Sequence, residues 1–97
     1  MINAERMIEH FLKLVQIDSH SKKEGAVALV LKADLESLGA VVEFDQAGEA
    51  VGGEVGNLIA RIPGNNERHA PLLLSAHMDT VVPGEGIRPI VEGRIIK

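Results

Sequence analysis

The stretch Leu72-Leu73-Leu74-Ser75-Ala76-His77-Met78-Asp79-Thr80-Val81-Val82-Pro83-Gly84 decides how this chain is read. An apolar run, Pro71 to Ala76, leads straight into a histidine, with a carboxylate two residues on and a Pro-Gly turn just beyond. A continuously apolar run of this length predicts a strand buried on both faces, as in sheets covered by helices on either side. His77 then sits at the carboxyl end of that strand, where α/β sheets gather their ligands. His77 and Asp79 are two residues apart, so in extended backbone their side chains share a face. That arrangement suits a metal-binding imidazole whose other ring nitrogen donates to a carboxylate. The triplet alone carries little weight, because chance places His-x-Asp in about one chain in ten of this length. The apolar run before it and the turn after it give it meaning.

Working back from this segment, the elements line up in order. Asn3 is an N-cap candidate, and Met7, Ile8, Phe11, Leu12 and Val15 follow at helical spacing, predicting a helix over about 4–16. Ser21-Lys22-Lys23-Glu24 has the form of a capping box opening a second helix, about 22–38. Its apolar positions are interrupted only by Asp34, and Gly39 is the stop. Ala40–Asp45 predicts a strand, Gly48–Gly56 a glycine-rich loop, and Asn57–Ile62 a second strand closed by Pro63-Gly64. Pro71–Ala76 is the third strand. Gly86–Lys97 forms a short hairpin around Glu92-Gly93. The expectation is an α/β fold, two helices followed by three or four strands of a mixed sheet. Two helices cover only one face of such a sheet.

Composition excludes several classes. The 97 residues allow one small domain, and 45% are apolar, enough for a core. Aromatics are limited to Phe11 and Phe44, so the core is aliphatic. The net charge is −4 and no basic run exceeds Lys22-Lys23, which argues against nucleic acid as a partner. There is no cysteine, hence no disulfide or thiolate metal site. No signal-peptide pattern and no membrane-length apolar run occur. A cytoplasmic protein without membrane contact is the expectation.

The segment Ser75–Gly84 resembles the first metal motif of the dizinc aminoacylase/peptidase T superfamily, most closely its peptidase T-like branch. Leu14-Val15-Gln16-Ile17-Asp18-Ser19 with its following helix, and Gly56-Asn57-Leu58-Ile59-Ala60, resemble the opening of the same enzymes. The resemblance covers essentially all 97 residues. It implies that His77 binds one of two zinc ions and that Asp79 orients the imidazole and counts as catalytic. It also implies metal-assisted hydrolysis of the N-terminal peptide bond of short peptides. The family's metal-bridging aspartate, Glu-Glu pair, further acidic ligand and late histidine have no matching positions here. Residues 1–97 are therefore expected to be a partial catalytic domain, truncated before the remaining ligands and inactive alone. Alternatives are a deacylase or dipeptidase of the same superfamily, or a non-catalytic α/β interaction domain. A sheet lacking its neighbours predicts association through an exposed edge or apolar face.

Other features read as structural. Glu85, Glu92 and His69 lie nearest the motif but read as solvated surface residues, and His10 and His20 likewise as exposed. Gly52-Gly53-Glu54-Val55-Gly56 lacks the Lys-Ser/Thr of a phosphate loop, and Ser75 lacks a nucleophile elbow. Asp18 and Ser19 are expected in turn and cap hydrogen bonds.

Overall fold

The first helix, α1, is set by its cap. Asn3 holds extended backbone, and its side-chain oxygen accepts from the Arg6 amide at 3.1 Å, so α1 runs over Ala4–Val15. The computed structural model describes the whole chain, Met1–Lys97. A second helix, α2, spans Gly25–Ser37, followed by Gly39 at φ +90°, a conformation glycine adopts freely. Strand β1 (Val41–Phe44) pairs antiparallel with β2 (Leu58–Arg61) in the register Val41↔Arg61 to Phe44↔Leu58. Between them lies a short helix, α3 (Ala47–Val51). The C-terminal hairpin joins β3 (Val91–Glu92) to β4 (Ile95–Ile96) through Gly93 at φ +59°, the glycine-first pattern of a tight hairpin turn.

The α/β class holds, and both helices, the first two strands and the hairpin lie where the sequence places them. Four expectations change. The Ser21–Glu24 capping box does not form: α2 begins three residues later than expected, with no side-chain bond at its cap. Lys22 is left-handed at φ +73°, which keeps the helix from starting there, and Glu24 accepts instead from the Lys22 amide at 2.8 Å. Second, the Gly48–Gly56 stretch contains α3 rather than loop alone. Gly48 is buried there against the Val55 carbonyl, with which any Cβ would collide. Third, the strands form two separate two-stranded antiparallel sheets, not one mixed sheet. Fourth, Pro71–Ala76 belongs to no ladder, and Leu72, Leu73 and Leu74 are 83–88% exposed. An interior strand needs a neighbour on each side, and no segment of this chain lies alongside it.

α2 packs on the β1–β2 pair, and its Val27 and Ala28, with Ala40 at the head of β1, are the buried apolar residues. Glu54, from the connection after α3, reaches across to α2. Its carboxylate accepts from the Gly25 amide at 2.9 Å and its own amide donates to the Lys22 carbonyl at 3.0 Å. It thus supplies an anionic cap where a helix N-terminus favours one. Asp45 closes the base of the β1–β2 connection. Oδ1 accepts from the Ala47 and Asn57 amides at 3.0 and 2.7 Å, and Oδ2 from the Asn57 side chain at 2.8 Å. Asp34, the polar break on α2, joins the two helices: His10 lies 2.9 Å and Lys13 3.2 Å from its carboxylate. His10, then Lys13, hold that carboxyl below its ordinary range.

The molecule is spread out. Its radius of gyration is 15.6 Å, against about 12.5 Å for a compact chain of this length. Its accessible surface is 8275 Å² for 10.4 kDa, against roughly 5,400 Å² for a compact monomer of that mass.

Two consequences are measurable. Glu54→Ala should cost about 1 kcal/mol, the size of a lost helix cap. A lower urea midpoint is expected, and Glu54→Gln, which keeps an acceptor, should lose less. An alanine variant as stable as the parent would remove the cap. Asp45 gives a pH signature. Its carboxyl lies below the ordinary 3.8 because the Asn57 side chain and then the Ala47 and Asn57 amides donate to it. Its contribution is therefore complete above the ordinary value and is lost as pH falls through the lower folded value. Thermal melts of Asp45→Asn should fall less steeply with acid in that window; parallel acid limbs in parent and variant would refute the assignment.

Candidate functional site

The segment after Ala76 is held in place by the loop between α1 and α2. His20 and Thr80 form a parallel bridge. The Thr80 amide donates to the Ser19 carbonyl at 2.8 Å, and the Ser19 hydroxyl donates to the Met78 carbonyl at 3.0 Å. Ser19 is 2% exposed, a buried polar residue with its hydroxyl satisfied. One residue on, His20 Nε2 accepts from the Gly84 amide at 3.1 Å while Nδ1 faces the Glu85 carboxylate at 3.2 Å. That pair of contacts assigns the ring proton to Nδ1. The Gly86 amide donates to Asp18 Oδ1 at 2.8 Å. Ser21 completes the set, its hydroxyl donating to Asp79 Oδ2 at 2.5 Å.

His77 and Asp79 come out on one side, as their spacing predicts. His77 Nδ1 lies 3.5 Å from Asp79 Oδ1, an ion-pair distance longer than a hydrogen bond. The imidazole is 94% exposed and Asp79 35%, so Nε2 is open to solvent. The Ser21 hydroxyl holds the Asp79 carboxyl below its ordinary value, opposed by partial desolvation and helped by the nearby His77 ring. With His20, Ser21, Thr80, Val81 and Val82 these two residues line an open groove of about 670 Å³.

The other candidates go elsewhere. Glu85 faces His20, Glu92 pairs with Lys97 at 2.8 Å, and His69 and Ser75 are exposed on the surface. His10 is exposed as expected, but the His20 side chain is 17% exposed because the 84–85 turn closes over it. Asp18 and Ser19 make long-range bonds rather than local caps. Ser19, His20 and Ser21 are the residues that reading by local pattern missed; their only signal was the likeness of Leu14–Ser19 to the opening of the peptidase T-like enzymes.

The donor chemistry fits a metal in part. One imidazole backed by a carboxylate matches a ligand and its orienting partner. A catalytic zinc takes three protein ligands, and no three His, Asp or Glu side chains converge here.

Against known proteins, no family model matches. The chain is 41% identical over all 97 residues to an uncharacterized protein, YqjE, of Bacillus subtilis strain 168, covering 26% of that protein. In structure it is similar to aminopeptidase PepT of Bacillus cereus ATCC 10987, with a TM-score of 0.92 and 38% identity over 98% of this chain. It is also similar to a tripeptidase of Staphylococcus aureus Mu50, with a TM-score of 0.83 and 38% identity over 96% of this chain. It spans 26% and 25% of those two chains. The chain resembles, over about a quarter of their length, peptidases of the peptidase T kind.

Proposed function

We propose that these 97 residues are part of the catalytic domain of a zinc-dependent, peptidase T-like exopeptidase, one that hydrolyses the N-terminal peptide bond of short peptides. The observation that carries the reading is the TM-score of 0.92 on an aminopeptidase at 38% identity over nearly the whole chain. The tripeptidase likeness points to short peptides as the substrate class. His77 is the metal ligand, through the ring nitrogen left open to solvent, and Asp79 is the catalytic carboxylate that holds the other ring nitrogen. Bound zinc supplies a polarised carbonyl and an activated water. The chain's own contribution is to present the imidazole with a carboxylate facing its other ring nitrogen. Three observations support a partial domain over 1–97: the quarter-length coverage of the relatives, the large accessible surface, and the exposed Leu72–Leu74 segment. The same exposed segment supports association of the isolated chain. A cytoplasmic setting belongs to the same reading; no helix is long and apolar enough to cross a membrane.

The test is the open reading frame that carries these residues, expressed to its stop codon. Zinc-dependent release of the N-terminal residue from tripeptides is expected, abolished by His77→Ala. Asp79→Asn should lower activity by about 10–100-fold, the usual effect of losing an imidazole's carboxylate partner, with little change in melting temperature. A product with no zinc-dependent tripeptide hydrolysis would overturn the proposal.

A further inference from the structure

We infer that Ser21 is a positioning residue for the His77–Asp79 pair: its hydroxyl engages Asp79 Oδ2, so that Oδ1 is the oxygen presented to His77 Nδ1. The purpose of this positioning rests on the proposed function; its test needs neither zinc nor peptide.

The terminal torsion of an aspartate is broad and roughly two-fold, so an unrestrained carboxylate offers either oxygen. One hydrogen bond removes that equivalence, and Ser21 supplies it at 2.5 Å, across 58 residues of sequence. The backbone on both sides of Asp79 is fixed to the same loop, Met78 through the Ser19 hydroxyl and Thr80 through the Ser19 carbonyl. Ser21 and Asp79 are thus held in one register. His77 has no packing to orient it, being 94% exposed, and the charged group facing its Nδ1 is Asp79 Oδ1 at 3.5 Å, an electrostatic contact that favours a proton on that nitrogen. Nor is the Ser21 hydroxyl needed for its neighbouring helix. α2 has no side-chain bond at its cap residue, and its first amide goes to Glu54.

Two-bond nitrogen–proton NMR of the imidazoles, on the whole ¹⁵N-labelled chain at a pH where the rings are neutral, reads the result directly. In the parent, His77 should be enriched in the Nδ1–H tautomer relative to free imidazole. Ser21→Ala should abolish that enrichment and Ser21→Thr, which restores a hydroxyl, should return it, with the exposed His69 unmoved throughout. A His77 tautomer ratio that is unchanged in Ser21→Ala would overturn the inference, as would failure of threonine to rescue. If the alanine variant loses its dispersed amide spectrum, the parent decides: three-bond couplings reporting a single χ1 rotamer for Ser21 are expected, and rotamer-averaged couplings overturn the role. Tautomer control without zinc-dependent hydrolysis would refute the proposed function alone; hydrolysis without tautomer control would refute the positioning alone.

Discussion

The site depends on one contact, the run of hydrogen bonds between residues 18–21 and 78–86. Little else holds the second segment. Leu72–Leu74 before it and Val81 and Val82 within it stay largely exposed, so burial contributes little to its placement. Polar bonds do the work instead, each worth about 0.5–1.5 kcal/mol net. They are alternately backbone and side chain: Ser19 grips the chain on both sides of Asp79, His20 takes the Gly84 amide, and Asp18 takes that of Gly86. A register fixed this way is specific, because a shift of one residue would leave the buried Ser19 hydroxyl without an acceptor.

What the sequence made legible was local. The Asn3 cap, the stop at Gly39 and the Gly93 turn each follow from a residue's own conformational preference and its near neighbours, and each appears as read. His77 and Asp79 share a side because period-two geometry requires it. The long-range partners of Ser19, His20 and Ser21 were not legible, because small polar residues after a helix look alike whether they cap locally or bind a segment some sixty residues away. Glu54 was not legible for the same reason. In sequence it is an acid in a glycine-rich stretch; in space it lies over the N-terminus of α2.

The Pro71–Ala76 segment shows the opposite failure. Its pattern encodes burial on two faces, and the folded chain offers it none. A sequence pattern records the environment in which a segment was selected. The discrepancy therefore carries information: an apolar run ending in His77 is patterned for burial and stands exposed in these 97 residues. That fits a chain whose matches to known proteins cover all of it and only a quarter of them.

The capping box that fails to form links these observations. Ser21 and Glu24 have the spacing for reciprocal bonds at the start of α2, and such a box would be worth about as much as other caps. The serine oxygen in such a box accepts from the Glu24 amide, so its proton stays free for Asp79 and the two bonds do not compete. The backbone departs from the box instead: Lys22 is left-handed at φ +73°, and the Glu24 carboxylate accepts from the Lys22 amide rather than from that of Ser21. With Lys22 in that turn, α2 starts at Gly25 and the Ser21 hydroxyl is directed to Asp79. The first amide of the helix is then left for Glu54, whose own amide ties to Lys22. The left-handed turn at Lys22 thus serves two ends: it leaves the N-terminus of α2 to Glu54 and the Ser21 hydroxyl beside Asp79.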